Sequence, residues 1–110
     1  MKVLFVCTAN VARSPMAEAV FRELAADRGH DVRSAGLAAS ATRRLTTRDV
    51  AWADRVAVME DAHLAAFRRR WPRHVAKVTV LGIPDDYDPD EPELRELLRA
   101  RIKNLLADLL

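Results

Sequence analysis

Behind a single lysine the chain opens on an unbroken apolar run, Lys2 to Val6, and similar runs return at Arg55 to Met59 and, with alternating character, at Lys77 to Leu81. Short runs of β-branched and aromatic residues bounded by polar ones predict strands, the first of them buried on both faces. Between the strands the period changes. Ala17, Val20, Phe21 and Leu24 recur at steps of three and four, which predicts a helix with Ser14 as N-cap and Pro15 as its first residue, running to about Arg28 and stopped by Gly29. Asp31 to Ser34 reads as a second short strand and Ala35 to Thr42 as a loop of small residues around Gly36. Thr46 to Trp52 reads as a short helix, Asp61 to Arg70 as a longer one, and Gly82 to Pro89 as a surface loop too rich in turn formers for regular structure. From about Pro92 the positions Leu94, Leu97, Leu98, Ile102, Leu105, Leu106 and Leu109 make one apolar stripe, for which a sheet is the natural cover.

Strands that alternate with helices pair in parallel through right-handed crossovers. The expected fold is therefore α/β, an open parallel four-stranded sheet with helices on both faces, in one domain over residues 1–110. A length of 110 residues suits a single core. No apolar run approaches the ~18 residues of a membrane-spanning helix. MKVLFVCTAN lacks the small-residue cleavage site of a secretory signal, so the chain reads as cytoplasmic. Eighteen Lys and Arg against sixteen Asp and Glu leave a charge of +2, too slight to point to nucleic acid or a membrane surface as partner.

Cys7 is the only cysteine, which excludes an internal disulfide, a two-cysteine relay and a cysteine-rich zinc site within one chain. His30, His63 and His74 lie far apart without metal-ligand spacing and read as exposed or capping residues. Trp52, Phe67 and Trp71 read as packing residues, and Arg68, Arg69, Arg70 and Arg73 as a solvated helix end whose cations complement the dipole.

In such folds ligands bind beyond the carboxyl ends of the strands, and the first strand ends directly in Cys7. Five residues later comes Arg13, then a helix whose N-terminal amides and dipole attract an anion. The positive helix end and the guanidinium favour the thiolate, the nucleophilic form of a cysteine, and the planar fork of Arg13 holds two oxygens of a phosphate at once. Alone, a cysteine behind a strand is ordinarily a small buried hydrophobe, Ser14 an N-cap, and Asp85, Asp86 and Asp88 turn formers. The spacing of Cys7, Arg13, Ser14 and Pro15 taken together favours chemistry.

The segment VCTANVARSPMAE resembles the active-site signature of the low-molecular-weight protein-tyrosine phosphatases. The likeness continues more loosely through Ser34-Ala35-Gly36, Leu45-Thr46, Ala53 to Met59 and Ile83-Pro84-Asp85-Asp86-Tyr87. It implies a cysteine-dependent phosphomonoester hydrolase, a protein-tyrosine phosphatase acting through a cysteinyl-phosphate on a phosphorylated protein or a small aryl phosphate, with no metal or other cofactor. By the same resemblance, Cys7 attacks phosphorus, and the phosphoryl oxygens lie against Arg13 and the amides of Thr8, Ala9, Asn10, Val11, Ala12, Arg13 and Ser14. Ser14 bonds to the thiolate, and Asn10 shapes the loop because Asn tolerates left-handed backbone. Asp85 takes the place of the general acid, with Asp88-Pro89 as runner-up three residues on, and Tyr87 that of an aromatic wall.

Three departures from the family pattern bear on this reading. Ala9 stands where Gly is usual and would strain at a positive φ. Ala12 stands where many members carry a second cysteine, leaving an oxidised Cys7 without an internal rescue partner. The chain is also shorter between Gly36 and Leu45, which implies a more open cleft. Two further functions fit the same signature: a phosphate-reading module without turnover, and an arsenate reductase dependent on an external thiol.

Overall fold

β1 (Lys2–Cys7) is the strand on which everything else is assembled. Val3, Phe5 and Cys7 enter one core and Leu4 and Val6 the other, the strict alternation of a central strand covered on both sides. The computed structural model describes residues 1–109; Leu110, the last residue of the expected domain, lies outside the described residues. After β1 come α1 (Arg13–Leu24), β2 (Asp31–Gly36), α2 (Thr47–Trp52), β3 (Arg55–Val58), α3 (Asp61–Arg70), a 3-10 turn (Pro72–Lys77), β4 (Val78–Val80) and α4 (Pro92–Asp108). The sheet runs β2-β1-β3-β4 with every pair parallel, Cys7 opposite Gly36 and Val6 opposite Val58. The chain leaves β1 toward β2 and then crosses back to β3, so the carboxyl end of β1 is the topological switch point where open α/β sheets place ligands.

Helices cover both faces, as expected. α1 and α4 share the first core, where Phe21 meets Phe5 edge to face at 5.7 Å. In α4 the predicted stripe is realised: Leu94, Leu98, Ile102, Leu105 and Leu106 are buried and Leu97 and Leu109 pack against them. Each fully buried leucine contributes about 2 kcal/mol. α2 and α3 cover the second core, with Phe67 and Trp71 tilted against each other at 5.3 Å and the half-buried Trp52 under the guanidinium of Arg33 at 4.1 Å. All three aromatics pack, as expected of them. Arg68, Arg69 and Arg70 are exposed at the end of α3.

Several boundaries differ from the expectation. α1 begins at Arg13 and its N-cap position falls on Ala12, with no side-chain cap, because the Ser14 hydroxyl is taken by other partners. The helix ends at Leu24, not Arg28: beyond Ala25 no side chain reaches the core, and a turn closed by Arg28 N–H on the Ala25 carbonyl leads to Gly29 at φ 69°. β2 continues past Ser34 to Gly36, whose N–H and carbonyl bond to Arg43 and Leu45. β4 is shortened to three residues: its predicted start, Lys77, is wound into the 3-10 turn, and its predicted last residue, Leu81, lies after the strand. α2 begins after the N-cap Thr46, which with Asp49 forms a reciprocal capping box. Burial would raise the Asp49 pKa, yet bonds from the Thr46 side chain and backbone and the charge and bond of Arg43 outweigh it, and it lies below its usual 3.8.

Candidate active site

Cys7 lies at the floor of a depression of about 220 Å³ at the carboxyl end of β1. The residue is 2% exposed, and its sulfur is 2.9 Å from the Ser14 hydroxyl and 3.2 Å from the Asn10 nitrogen, whose N–H points at it. Asn10 is buried at φ 55°, the left-handed conformation its sequence position predicts. Its side-chain amide donates to Ser14 Oγ at 2.8 Å and to Ser34 Oγ at 3.2 Å. Ser14 Oγ accepts from Asn10, and toward a thiolate, which can only accept, its proton donates across the 2.9 Å to sulfur, with the Ala35 carbonyl at 3.4 Å as its other acceptor. Asn10 is the sole non-glycine residue at positive φ among the described residues. Ala9 is therefore not at a positive φ, and the loop forms without the usual glycine.

Arg13 is 3% exposed and lines the same depression. Its Nη1 donates to Glu60 Oε1 at 2.8 Å and to the Ile83 carbonyl at 2.9 Å, which locks the fork in place from the α3 side and the β4–α4 loop. Asp85 reaches over the mouth, with its Oδ1 3.7 Å from Arg13 Nε. The loop carrying Asp85 is anchored two residues earlier by the fully buried Ile83, whose N–H bonds to the Met59 carbonyl. Tyr87, Pro89 and Val11 wall the mouth, Val11 with 53% of its surface exposed. Of the three aspartates weighed from sequence, Asp85 lines the depression. Asp88 instead forms the turn into α4, exchanging bonds with Glu91 through its own N–H and carbonyl.

The short segment after β2 has a task that its length does not suggest. Leu37 N–H bonds to the Cys7 carbonyl, Ala38 N–H to that of Thr8 and Thr42 N–H to that of Ala9. These bonds tie three successive carbonyls of the loop to a segment that does not line the depression. The expected loop of small residues is thus a brace, and its smallness lets it lie flat on the Cys7–Arg13 loop. A Cβ at Gly36 would stand 2.6 Å from Ala41 Cβ, 2.6 Å from the Thr8 carbonyl oxygen and 3.0 Å from Asn10 N. None of these belongs to the end of a flexible side chain. Gly36→Ala is therefore expected to cost about 1–3 kcal/mol and to weaken phosphate binding together with stability. Thermal unfolding and phosphate titration of the variant check this; an unchanged Tm and affinity would mean that the brace does not set the loop.

Sequence reasoning missed Glu60 and the reach of His63 to Thr8, while of its two alternatives for His63, exposed or capping, the structure gives capping. His63 is buried, not exposed: its Nδ1 accepts the Glu60 N–H at 3.0 Å, and its Nε2 stands 2.9 Å from Thr8 Oγ1. The signal was present as a capping-box spacing, an acidic residue three positions before a side chain that returns to its N–H. His30 and His74 are half-buried, and His30 packs edge-on against Phe21 at 5.9 Å. No group of three or more His, Cys, Asp or Glu able to hold a metal occurs among the described residues, and no helix there is long and apolar enough to cross a membrane.

Residues 2–66 match the family model described as low molecular weight phosphotyrosine protein phosphatase. A curated relative, the protein-arginine-phosphatase of Bacillus subtilis, is 31% identical over an alignment of 148 positions that covers 98% of this chain and 99% of the relative. The alignment is longer than the chain, so the relative carries segments that are absent here. Among solved structures, the YwlE arginine phosphatase from Geobacillus stearothermophilus superposes with a TM-score of 0.80 at 27% identity, covering 98% of this chain and 92% of that one. The tyrosine phosphatase Wzb from Escherichia coli K30, in complex with phosphate, does so with a TM-score of 0.82 at 26% identity, covering 99% and 98%.

Proposed function

This chain belongs to the low molecular weight phosphotyrosine protein phosphatase family, and from that premise we propose that it hydrolyses phosphotyrosine on proteins, with Cys7 as nucleophile, Arg13 as phosphate clamp and Asp85 as general acid. The observation that carries this reading is that Cys7, Arg13 and Asp85, the first and last of them 78 positions apart in sequence, line one depression, with the sulfur at its floor and the carboxylate at its mouth. Cys7 Sγ attacks phosphorus in line. The bond to the aryl oxygen breaks, Asp85 passes its proton to that oxygen, and the phosphoryl group rests on sulfur. Arg13 and the amides of Thr8 to Ser14 hold the three non-bridging oxygens, which gather charge in the transition state. Water, deprotonated by the Asp85 carboxylate, then attacks phosphorus. The phosphorus–sulfur bond breaks, inorganic phosphate leaves, and the Ser14 hydroxyl supports the thiolate that is released.

Val11, Tyr87 and Pro89 favour an aryl group at the mouth: they offer flat apolar surface around a single carboxylate, where a ring finds contact and a charged chain does not. Phosphoarginine is the second reading, supported by the names of the relatives. The two are separated by kcat/KM on matched peptides. We expect at least a tenfold preference for the phosphotyrosine peptide, and a preference of that size for the phosphoarginine peptide would reverse the assignment. A lone nucleophilic thiol with no partner cysteine suits a reducing compartment such as the cytoplasm.

A further inference from the structure

We propose that His63 is a positioning residue for the reaction: it ties the N-terminus of α3 to Thr8 and fixes the direction of the Thr8 hydroxyl at the wall of the pocket. This rests on the reading of Cys7 and Arg13 given above and extends it to a residue that touches neither.

The argument starts from hydrogen-bond donors. Glu60 N–H can only donate, so His63 Nδ1, at 3.0 Å, accepts and carries no proton. The proton of the neutral ring is then on Nε2, which donates to Thr8 Oγ1 at 2.9 Å. That bond occupies an acceptor site of the hydroxyl and sets its rotation, so the Thr8 proton is presented on the side away from the imidazole. Thr8 is exposed, lines the depression and directly follows Cys7 in the chain.

His63 is 4% exposed, and the charges facing its imidazole come from three elements: Arg13 of α1, Glu60 beside it and Asp85 from the β4–α4 loop. Burial, reinforced by the Arg13 charge, lowers its pKa below 6.5 against the opposing pull of Glu60 and Asp85, so the neutral ring that this bonding needs is held at neutral pH. Glu60 also accepts Arg13 Nη1 at 2.8 Å. One helix end therefore grips the Cys7–Arg13 loop at its second residue and at its last.

A plain helix cap would use the Nδ1 bond alone, and two variants separate the roles. His63→Asn keeps a side-chain oxygen for the Glu60 N–H but is too short to reach Thr8. Thr8→Val removes the hydroxyl at nearly constant volume and leaves the histidine intact. Each is expected to lower kcat/KM for an aryl phosphate about tenfold, the size of one positioning hydrogen bond. The double variant is expected to lose no more than either single one, the mark of a shared interaction. Nitrogen NMR of the imidazole is expected to show the Nε2–H tautomer at neutral pH.

Wild-type kcat/KM in folded His63→Asn, losses that multiply in the double variant, or an Nδ1–H tautomer would each overturn the proposal. Should His63→Asn fail to fold, Thr8→Val and the spectrum decide. An inert wild-type enzyme would instead defeat the reading of Cys7, and the tautomer would still report on the His63–Thr8 bond.

Discussion

Cys7→Ser is expected to lower kcat toward aryl phosphates by roughly a ten-thousand- to a million-fold, the scale on which removal of an enzyme's nucleophile is felt. The fold should survive. Serine differs from cysteine by one atom, the site is small, and the Ser14 hydroxyl and the Asn10 N–H that face the sulfur can face an oxygen equally well. Affinity for inorganic phosphate should also survive, because the amides, the Arg13 fork and its anchors on Glu60 and Ile83 are untouched. What is lost is the sulfur nucleophile, which a serine hydroxyl does not replace. Steady-state kinetics with a phosphate titration and a thermal melt check the three parts separately. Turnover within tenfold of wild type in the folded variant would remove Cys7 from the chemistry.

The second large effect concerns Asp85. Asp85→Asn keeps the shape and the place beside Arg13 but cannot transfer a proton, and the loss of a general acid costs about a hundred- to ten-thousand-fold. The loss should depend on the leaving group. It should approach the full range for phenyl phosphate or phosphotyrosine, whose oxygen needs the proton, and be far smaller for p-nitrophenyl phosphate, whose phenolate leaves unaided. Asp88→Asn provides the contrast, since Asp88 belongs to the turn before α4 and its backbone, not its side chain, makes the bonds described there. Kinetics on a series of aryl phosphates of graded acidity decide between them. A steeper dependence on leaving group in Asp88→Asn than in Asp85→Asn would transfer the role to Asp88.

The parts of this site that were legible in the sequence are those whose partners are local. Cys7, Asn10, Arg13 and Ser14 fall within eight positions, and strand, loop and helix dictate how they face one another. The left-handed turn at Asn10 follows from its residue type, and the α4 stripe from its period. Where a single-residue rule failed, a partner from the site or from across the fold had overridden it. Ser14 follows the N-cap preference in sequence but not in space, because Cys7 and Asn10 claim its hydroxyl. His63 looked like an exposed or capping residue because nothing near it in sequence reveals Thr8, 55 positions away. The same holds for Arg13, whose anchors lie 47 and 70 positions on. The segment after Gly36, which as sequence is only a run of small residues, owes its role to contacts with loop carbonyls across the sheet end.

The central claim, a phosphoryl group carried by one sulfur, is tested most directly by trapping it. Asp85→Asn, mixed with p-nitrophenyl phosphate, should pass through the first step and be slow in the second, since water then lacks its base. Rapid acid quench, proteolysis and mass spectrometry should find one phosphoryl group on the peptide that contains Cys7, in an amount matching the burst of p-nitrophenol. A burst with no phosphoryl group on that peptide, or with the group on any other residue, would contradict the account.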